Sequence, residues 1–335
     1  MKNIESILKE INIEYRRNVS LSAYTTIGAG GPAAYLAEIK ELTKLELLLT
    51  AASANNISFL ILGKGSNVII SDDGFDGLVI INKTNSVYVK DEMTNCISKK
   101  ELEARLDSIN EEKKKDLSEK NVVVRSDSGL TVTSLAHKLY EMDISGLEWF
   151  SGIPSSVGGA VYMNMHGGYQ YFGDLVLRAK LFSGKSFKLV DNEYFKFDYD
   201  YSILHTTKEI VLWVDLCLPK GGVEKAKKKA KEWAKEKSNQ PQRSAGCIFK
   251  NLTMEEKEKA NLPSVSIGYL VDNLLGLKGF RIGGAQISPR HAAFIENTGN
   301  ATAADIYQLV NHIKKSAKEK LKINLKTEIE FIGNF

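Results

Sequence analysis

A chain of 335 residues, 43% hydrophobic and 26% charged, is too long for one ordinary domain and too apolar to stay disordered, so two or three packed units are expected. Lys plus Arg outnumber Asp plus Glu by only 45 to 41, a formal +4 that gives no support to a nucleic-acid partner. The three cysteines, Cys96, Cys217 and Cys247, are odd in number, widely spaced and without a C-x-x-C pair, which suggests neither a disulfide framework nor a zinc site and fits a reducing cytoplasm.

Residues 1–17 carry charges every few positions and lack the apolar run of a signal peptide, and nothing later approaches the roughly 20 apolar residues of a membrane span. The protein reads as soluble, with no membrane partner. Ile4, Ile7, Leu8 and Ile11 have helical spacing, predicting a short helix within 4–14, and the glycine-rich stretch 20–32 reads as loop. A strand is expected at 34–38, an amphipathic helix at 41–55, and a strand at 59–62 running into a glycine loop. Strands at 68–71 and 78–81 flank a turn at 72–77. Residues 99–120, rich in Lys, Glu, Asp and Leu, read as charged helices inserted between the β-rich segments 87–89 and 122–124. A helix near 131–142, a glycine-rich segment at 152–168 and strands at 177–182 and 210–218 follow. The Lys/Glu/Ala run 223–238 is strongly helical, its lysines forming a solvated face. A break at 240–243 opens a further unit, with helices near 267–275 and 303–321 and a final strand at 324–332.

Two segments carry chemistry. In Gly63, Lys64, Gly65, Ser66 and Asn67 the glycines let main-chain N–H groups approach a phosphate, while Ser66 and Asn67 add side-chain donors. The loop lacks the Lys-[Ser/Thr] ending of a P-loop and the third glycine of a G-x-G-x-x-G, so by itself it is either a tight turn or a ligand cradle. Gly152, Ile153, Pro154, Ser155, Ser156, Val157, Gly158, Gly159 and Ala160, followed by Asn164, combine a Pro-fixed turn, small hydroxyls and paired glycines, a stretch able to wrap a diphosphate or to form a buried loop. Two such loops in consecutive α+β units favour a dinucleotide cofactor stretched between them.

Six segments then occur in a specific order: 25–33 (TTIGAGGPA), 63–77 (GKGSNVIISDDGFDG), 146–164 (GLEWFSGIPSSVGGAVYMN), 244–251 (SAGCIFKN), 276–294 (GLKGFRIGGAQISPRHAAF) and 325–333 (LKTEIEFIG). In this the chain resembles the UDP-N-acetylenolpyruvoylglucosamine reductase family, also called UDP-N-acetylmuramate dehydrogenase, nearly end to end apart from the charged insertion. The resemblance implies an α+β protein with a p-cresol-methylhydroxylase-type FAD-binding fold. It would comprise subdomains at 1–85 and 86–220, the latter interrupted near 99–120, a substrate-binding domain at 221–322, and a C-terminal strand at 323–335 returning to the FAD-binding region. It looks like the shorter form of the enzyme. Non-covalent FAD would lie on the two glycine segments, with NADPH as reductant and the enolpyruvyl group of a UDP-sugar as hydride acceptor, in a cytoplasmic monomer making a peptidoglycan precursor.

Hydride addition to an enolpyruvyl double bond creates an enolate beside a carboxylate, so the site must stabilise negative charge and deliver a proton. The family's proton donor is a serine in S-A-G-S-x-F-K-N, and Cys247 stands at that position. A free thiol titrates near ~8.5 and can donate, although a buried inert cysteine is the alternative. Glu328 falls on the family's assisting glutamate, or else is an ordinary strand-edge carboxylate. The family's enolate-stabilising arginine sits in Y-R-x-S. Here Tyr199 and Ser202 match that motif and Asp200 replaces the arginine, an anion where a cation is needed. Arg178, Arg243 and Arg281 are candidates to compensate, and no sequence argument selects among them. His166, in an altered stretch beside a flavin loop, is either a new acid or base or a structural residue, and His291 reads as packing. Lys250 and Asn251 keep the family's K-N pair and suit the oxygens of a UDP-sugar. No metal ligand set is found. Two other readings stay open: a diverged flavin oxidoreductase acting on another nucleotide sugar, and a non-catalytic FAD- or UDP-sugar-binding paralogue.

Overall fold

The structure is a computed structural model that describes residues 2–93 and 121–335; the expected insertion at 99–120 and Cys96 lie outside the described residues. Among the described residues the chain is α+β. In chain order it runs α1 (Ile4–Glu10), β1 (Tyr15–Ser20), β2 (Pro32–Ile39), α2 (Leu42–Ala54), β3 (Phe59–Leu62), β4 (Val68–Ile70), β5 (Phe75–Asn82), β6 (Val87–Met93), β7 (Asn121–Asp127) and α3 (Val132–Glu141). It continues with α4 (Val157–Met163), β8 (His166–Gly167), β9 (Gln170–Tyr171), β10 (Val176–Phe182), β11 (Phe187–Asp191), α5 (Leu204–Thr207), β12 (Ile210–Pro219) and α6 (Val223–Ser238). The last elements are α7 (Met254–Lys259), β13 (Arg281–Ile282), β14 (Ala285–Ile287), β15 (Ile295–Asn297), α8 (Ala303–Leu321) and β16 (Glu330–Ile332).

Two compact units form, each from several stretches of chain. The first takes Met1–Ile13, Glu38–Asn56 and Ile81–Lys237; the second takes Glu14–Ala37, Ile57–Ile80 and Ser238–Phe335. In the first, an antiparallel sheet of order β11-β10-β12-β7-β6 is built from Val- and Leu-rich strands. Helix α3 adds Val132, Leu135, Ala136 and Leu139 to the same apolar cluster, which also holds Phe150, Phe172 and Phe195. The Thr131 hydroxyl caps α3 by accepting from the Ser134 N–H, contributing about 1 kcal/mol. Burial of each Leu contributes roughly 1.5–3 kcal/mol, so packing rather than capping fixes the helix.

In the second unit the short sheet β13-β14-β15 and the parallel pair β16–β4, with Phe331 opposite Ile69, accompany α8. That helix buries Ile306, Leu309, Val310, Ile313 and Ala317, a stripe at helical spacing. Both oxygens of Asp72 accept N–H bonds at its first turn, from Ala303 (2.8 Å) and Ala304 (2.9 Å), where an anion also meets the positive end of the helix dipole.

Several local expectations change. The stretch 15–20, which begins after the expected helix at 4–14 and carries no expected element of its own, is β1, paired antiparallel with β2. Phe75, Asp76 and Gly77 belong to strand β5 rather than to a turn, because the Leu78 N–H is already held by the Ser58 carbonyl. The expected helix at 267–275 is one α-turn, Ile267–Tyr269, followed by a π-type turn at Leu270–Leu274. The final strand is regular only at Glu330–Ile332. Cys217 on β12 is disulfide-bonded, against the expectation of unpaired cysteines, since pairing depends on approach in space that spacing along the chain does not reveal.

Candidate functional site

Strand β3 delivers Gly63 and Lys64 to the surface and then turns inward at Gly65, which is buried at φ +60°. A Cβ on Gly65 would lie 2.1 Å from the Tyr24 carbonyl oxygen, and the Thr26 N–H donates to the Gly65 carbonyl at 3.1 Å. Only glycine fits this turn. Its consequence is electrostatic: the main-chain N–H groups of Lys64, Gly65 and Ser66, and the Ser66 hydroxyl, have no hydrogen-bond partner among the described residues. Successive unpaired amides around a left-handed residue form a concavity suited to phosphate oxygens. Asn67 closes the loop, its Nδ2 donating to the Glu328 carbonyl at 3.1 Å and its own carbonyl accepting from Glu330 at 3.0 Å.

That bond brings Glu328 to the glycine loop, and Glu328 leads on to Cys247. The Glu328 N–H donates to the Ile248 carbonyl at 2.9 Å, Lys250 donates its N–H to the Lys326 carbonyl at 3.0 Å, and Phe249 pairs with Thr327, so 247–250 and 326–328 run antiparallel. On its other side Cys247 bridges Phe294. Ile248 is driven into the core while Cys247, which forms no disulfide, stays half-buried, as does Glu328. The Asn251 side chain accepts the Ile267 N–H at 3.0 Å, so one face of this residue is spent capping a turn.

The second glycine segment lies in the first unit and is organised differently. Residues 157–163 are helix α4, capped by the Ser156 hydroxyl, which accepts from the Gly159 N–H at 3.2 Å. Two glycines open this helix because the chain beside it is close: a Cβ on Gly158 would sit 3.1–3.2 Å from the Cβ and carbonyl oxygen of Ser128. The amides of Ile153, Ser155, Val157, Gly158 and Ala160 bond to the carbonyls of Phe150, Ile153, Leu130, Ser128 and Ser156. Gly152 and Ser156 keep N–H groups without a partner among the described residues, so this segment offers fewer main-chain donors than 64–66.

Helix α4 ends at Asn164, in the left-handed conformation (φ +48°). Its amide spans two loops, donating to the Asp198 carbonyl and accepting the Gly173 N–H, each at 2.9 Å. Asp200, 3% exposed and itself left-handed at φ +47°, points at His166, whose Nδ1–H donates to Asp200 Oδ1 at 2.9 Å. The His166 side chain is 42% exposed, and its ring centroid lies 5.4 Å from that of Tyr199 and 5.9 Å from that of Tyr171. Burial pushes the Tyr171 hydroxyl above its ordinary value, and the charges of Asp200, Asp174 and Asp198 add to the shift.

Of the three candidate compensating arginines, two are hydrogen-bonded elsewhere and the third packs by a glycine. Arg178 donates from Nε to Asp215 at 2.7 Å, Arg281 bonds the Thr298 hydroxyl at 2.9 Å, and the Arg243 guanidinium lies against Gly28. The His291 ring packs edge-on against Phe294. Sequence reasoning overlooked Asn297, which is 4% exposed. Its Nδ2 donates to the carbonyls of Ile27 and Gly28, and its Oδ1 accepts from Gly299 and Ala301, fixing the 25–31 loop in the second unit. The turn residues around it, Asn297-Thr298-Gly299, were the one available signal. No group of three or more potential metal ligands occurs among the described residues, and no helix there is long and apolar enough to cross a membrane.

Comparison with known proteins adds lineage to this geometry. Residues 238–332 match the family model described as UDP-N-acetylenolpyruvoylglucosamine reductase, C-terminal domain. The chain is 32% identical to the UDP-N-acetylenolpyruvoylglucosamine reductase of Lactobacillus gasseri, the alignment covering 97% of this chain and 96% of that protein. It is also 32% identical to the reductase of the same name from Petrotoga mobilis, over 95% and 94%. The crystal structure of UDP-N-acetylenolpyruvylglucosamine reductase from Thermus caldophilus superposes with a TM-score of 0.69 at 28% identity, covering 96% of this chain and 99% of that one.

Proposed function

Because the chain belongs to the UDP-N-acetylenolpyruvoylglucosamine reductase family, we propose that it is an FAD-dependent oxidoreductase that uses NADPH to reduce the enolpyruvyl group of a UDP-sugar in peptidoglycan precursor synthesis. Bound FAD would supply the hydride-transfer chemistry. The residues proposed to hold it are Gly63, Lys64, Gly65, Ser66 and Asn67, with Gly152, Ile153, Pro154, Ser155, Ser156, Gly158, Gly159 and Ala160; the unpaired amides at 64–66 fit a diphosphate, and Gly152 and Ser156 add donors. The protein is proposed to act as a cytoplasmic monomer, divided as the sequence suggests into FAD-binding subdomains, a substrate domain and a returning C-terminal strand.

Within the second unit the chain's own groups divide the work. Cys247 donates a proton from Sγ to the substrate carbon left electron-rich by hydride addition, and Glu328 assists. Lys250 and Asn251 bind sugar-nucleotide oxygens, and Tyr199 is a further proposed substrate contact. One observation carries this reading: Asn67, which follows the amide cradle in the chain, donates to the Glu328 carbonyl, and Glu328 donates to the carbonyl of Ile248, the neighbour of Cys247. The candidate cofactor loop and candidate acid are thereby held in one scaffold.

The test is the pair of half-reactions. Purified protein should be yellow, bleach anaerobically with NADPH, and recolour on addition of UDP-N-acetylglucosamine enolpyruvate. Cys247→Ala should bleach normally and recolour at least a hundredfold more slowly, the range of a lost general acid, while Cys247→Ser recovers part of the rate. Recolouring by a different sugar nucleotide alone would support the diverged oxidoreductase. Protein that never binds flavin would contradict every catalytic reading.

A further inference from the structure

Among the described residues every arginine except Arg243 is committed. Arg16 and Arg17 lie over the rings of Tyr24 and Tyr35, Arg125 and Arg178 bond Asp215, Arg281 bonds Thr298 and Arg290 bonds Glu296. The exposed guanidinium of Arg243 has no hydrogen-bond, ion-pair or ring partner there. It is held in place all the same. Its Nη2, Nε and Cζ stand 2.9, 3.5 and 3.6 Å from where a Cβ of Gly28 would be, so the group lies along a residue that must lack a side chain. The backbone beneath is tied on two sides: the Arg243 carbonyl accepts the Asn297 N–H at 2.9 Å, and the Ser244 carbonyl accepts the Thr26 hydroxyl at 2.6 Å. Thr26 in turn donates its N–H to Gly65, the turn of the amide cradle. All these residues belong to the second unit, as does Cys247, four positions further along the chain. Amides carry no net charge, so a diphosphate held at 64–66 is offset only by Lys64 unless another cation joins it. A guanidinium presents a planar fork of N–H donors that matches paired phosphate oxygens, and at Arg243 that fork is unspent.

We propose that Arg243 is a further ligand contact of the second unit, its guanidinium pairing with a diphosphate, either the flavin's or the sugar nucleotide's. The inference rests on the functional reading above, which assigns groups of this unit to both ligands.

Two measurements on the flavin-loaded protein, each repeated from low to high salt, tell the two sources apart: the rate of FAD release, followed by recovery of flavin fluorescence, and the affinity for UDP by isothermal titration. Loss of one charge-assisted pair in Arg243→Gln should change one of them about tenfold at low salt. Faster FAD release assigns the contact to the flavin, and weaker UDP binding assigns it to the sugar nucleotide. Salt screens an exposed ion pair, so the gap between native and variant should close as salt rises. Arg243→Lys, which keeps the charge, should recover part of the loss. A packing role against Gly28 would instead leave a gap that salt does not close and that Arg243→Lys does not narrow. That result, or an Arg243→Gln protein with native FAD release and native UDP affinity, overturns the inference alone. Native protein that holds neither FAD nor UDP overturns the functional reading and this inference with it.

Discussion

At Gly65 a methyl group has nowhere to go. The site of its Cβ lies 2.1 Å from a backbone oxygen, and φ +60° adds about 1 kcal/mol of strain for any L side chain. Gly65→Ala must therefore move the loop whose amides are proposed to hold the diphosphate, and its FAD dissociation constant is expected to rise at least tenfold while the far-ultraviolet spectrum is retained. Unchanged flavin affinity would show that the cradle is not the binding loop. This glycine was legible in the sequence because strand–Gly-x-Gly has a known mechanical use. The environment of Asp200 was not. Sequence could register that an anion stands where the resemblance calls for a cation, and it could note His166, but a separation of 34 positions hid that the two bond to each other. Charge alone makes Arg178 a candidate to compensate Asp200, whereas the geometry commits it to Asp215.

The sheet of the first unit shows what that commitment is for. Asp215, at the centre of β12 with its side chain 0% exposed, accepts Arg125 Nε and Nη2 at 2.7 and 2.8 Å and Arg178 Nε at 2.7 Å. Burial pushes the Asp215 carboxyl up, and the bonds from Arg125 and then Arg178 outweigh it, holding the group below the usual carboxylate range. A carboxyl lowered by folding adds stability above its unfolded value, near 3.9, and loses that contribution as pH falls through the folded value. Asp215→Asn is expected to lower unfolding free energy by about 3 kcal/mol at pH 7, measured in urea, and to flatten the loss of stability on acidification below about pH 4. An unchanged urea midpoint at pH 7 would contradict this. Elements with strong periodicity were readable: α6 and α8 lie where their patterns predict. Helix α4 was not, because its paired glycines imitate a loop. They are tolerated because Ser128 presses against Gly158 and the core accepts Val157, Ala160 and Val161.

Across the whole molecule, motif order was the strongest legible signal, since six segments in sequence specify a family more narrowly than any one glycine turn. The compact units were harder to see. They interleave, with 14–37 and 57–80 grouping with the C-terminal hundred residues, and composition along a chain marks joints only where the chain passes them once. The proposed chemistry depends on stretches from both units, but its most exposed claim is local to one of them: that the amides of Lys64, Gly65 and Ser66 exist to hold a cofactor's diphosphate. A crystal structure of the FAD-loaded protein measures this directly. Diphosphate oxygens are expected about 2.7–3.2 Å from those three nitrogens. Flavin bound elsewhere, with 64–66 facing only solvent, would contradict it.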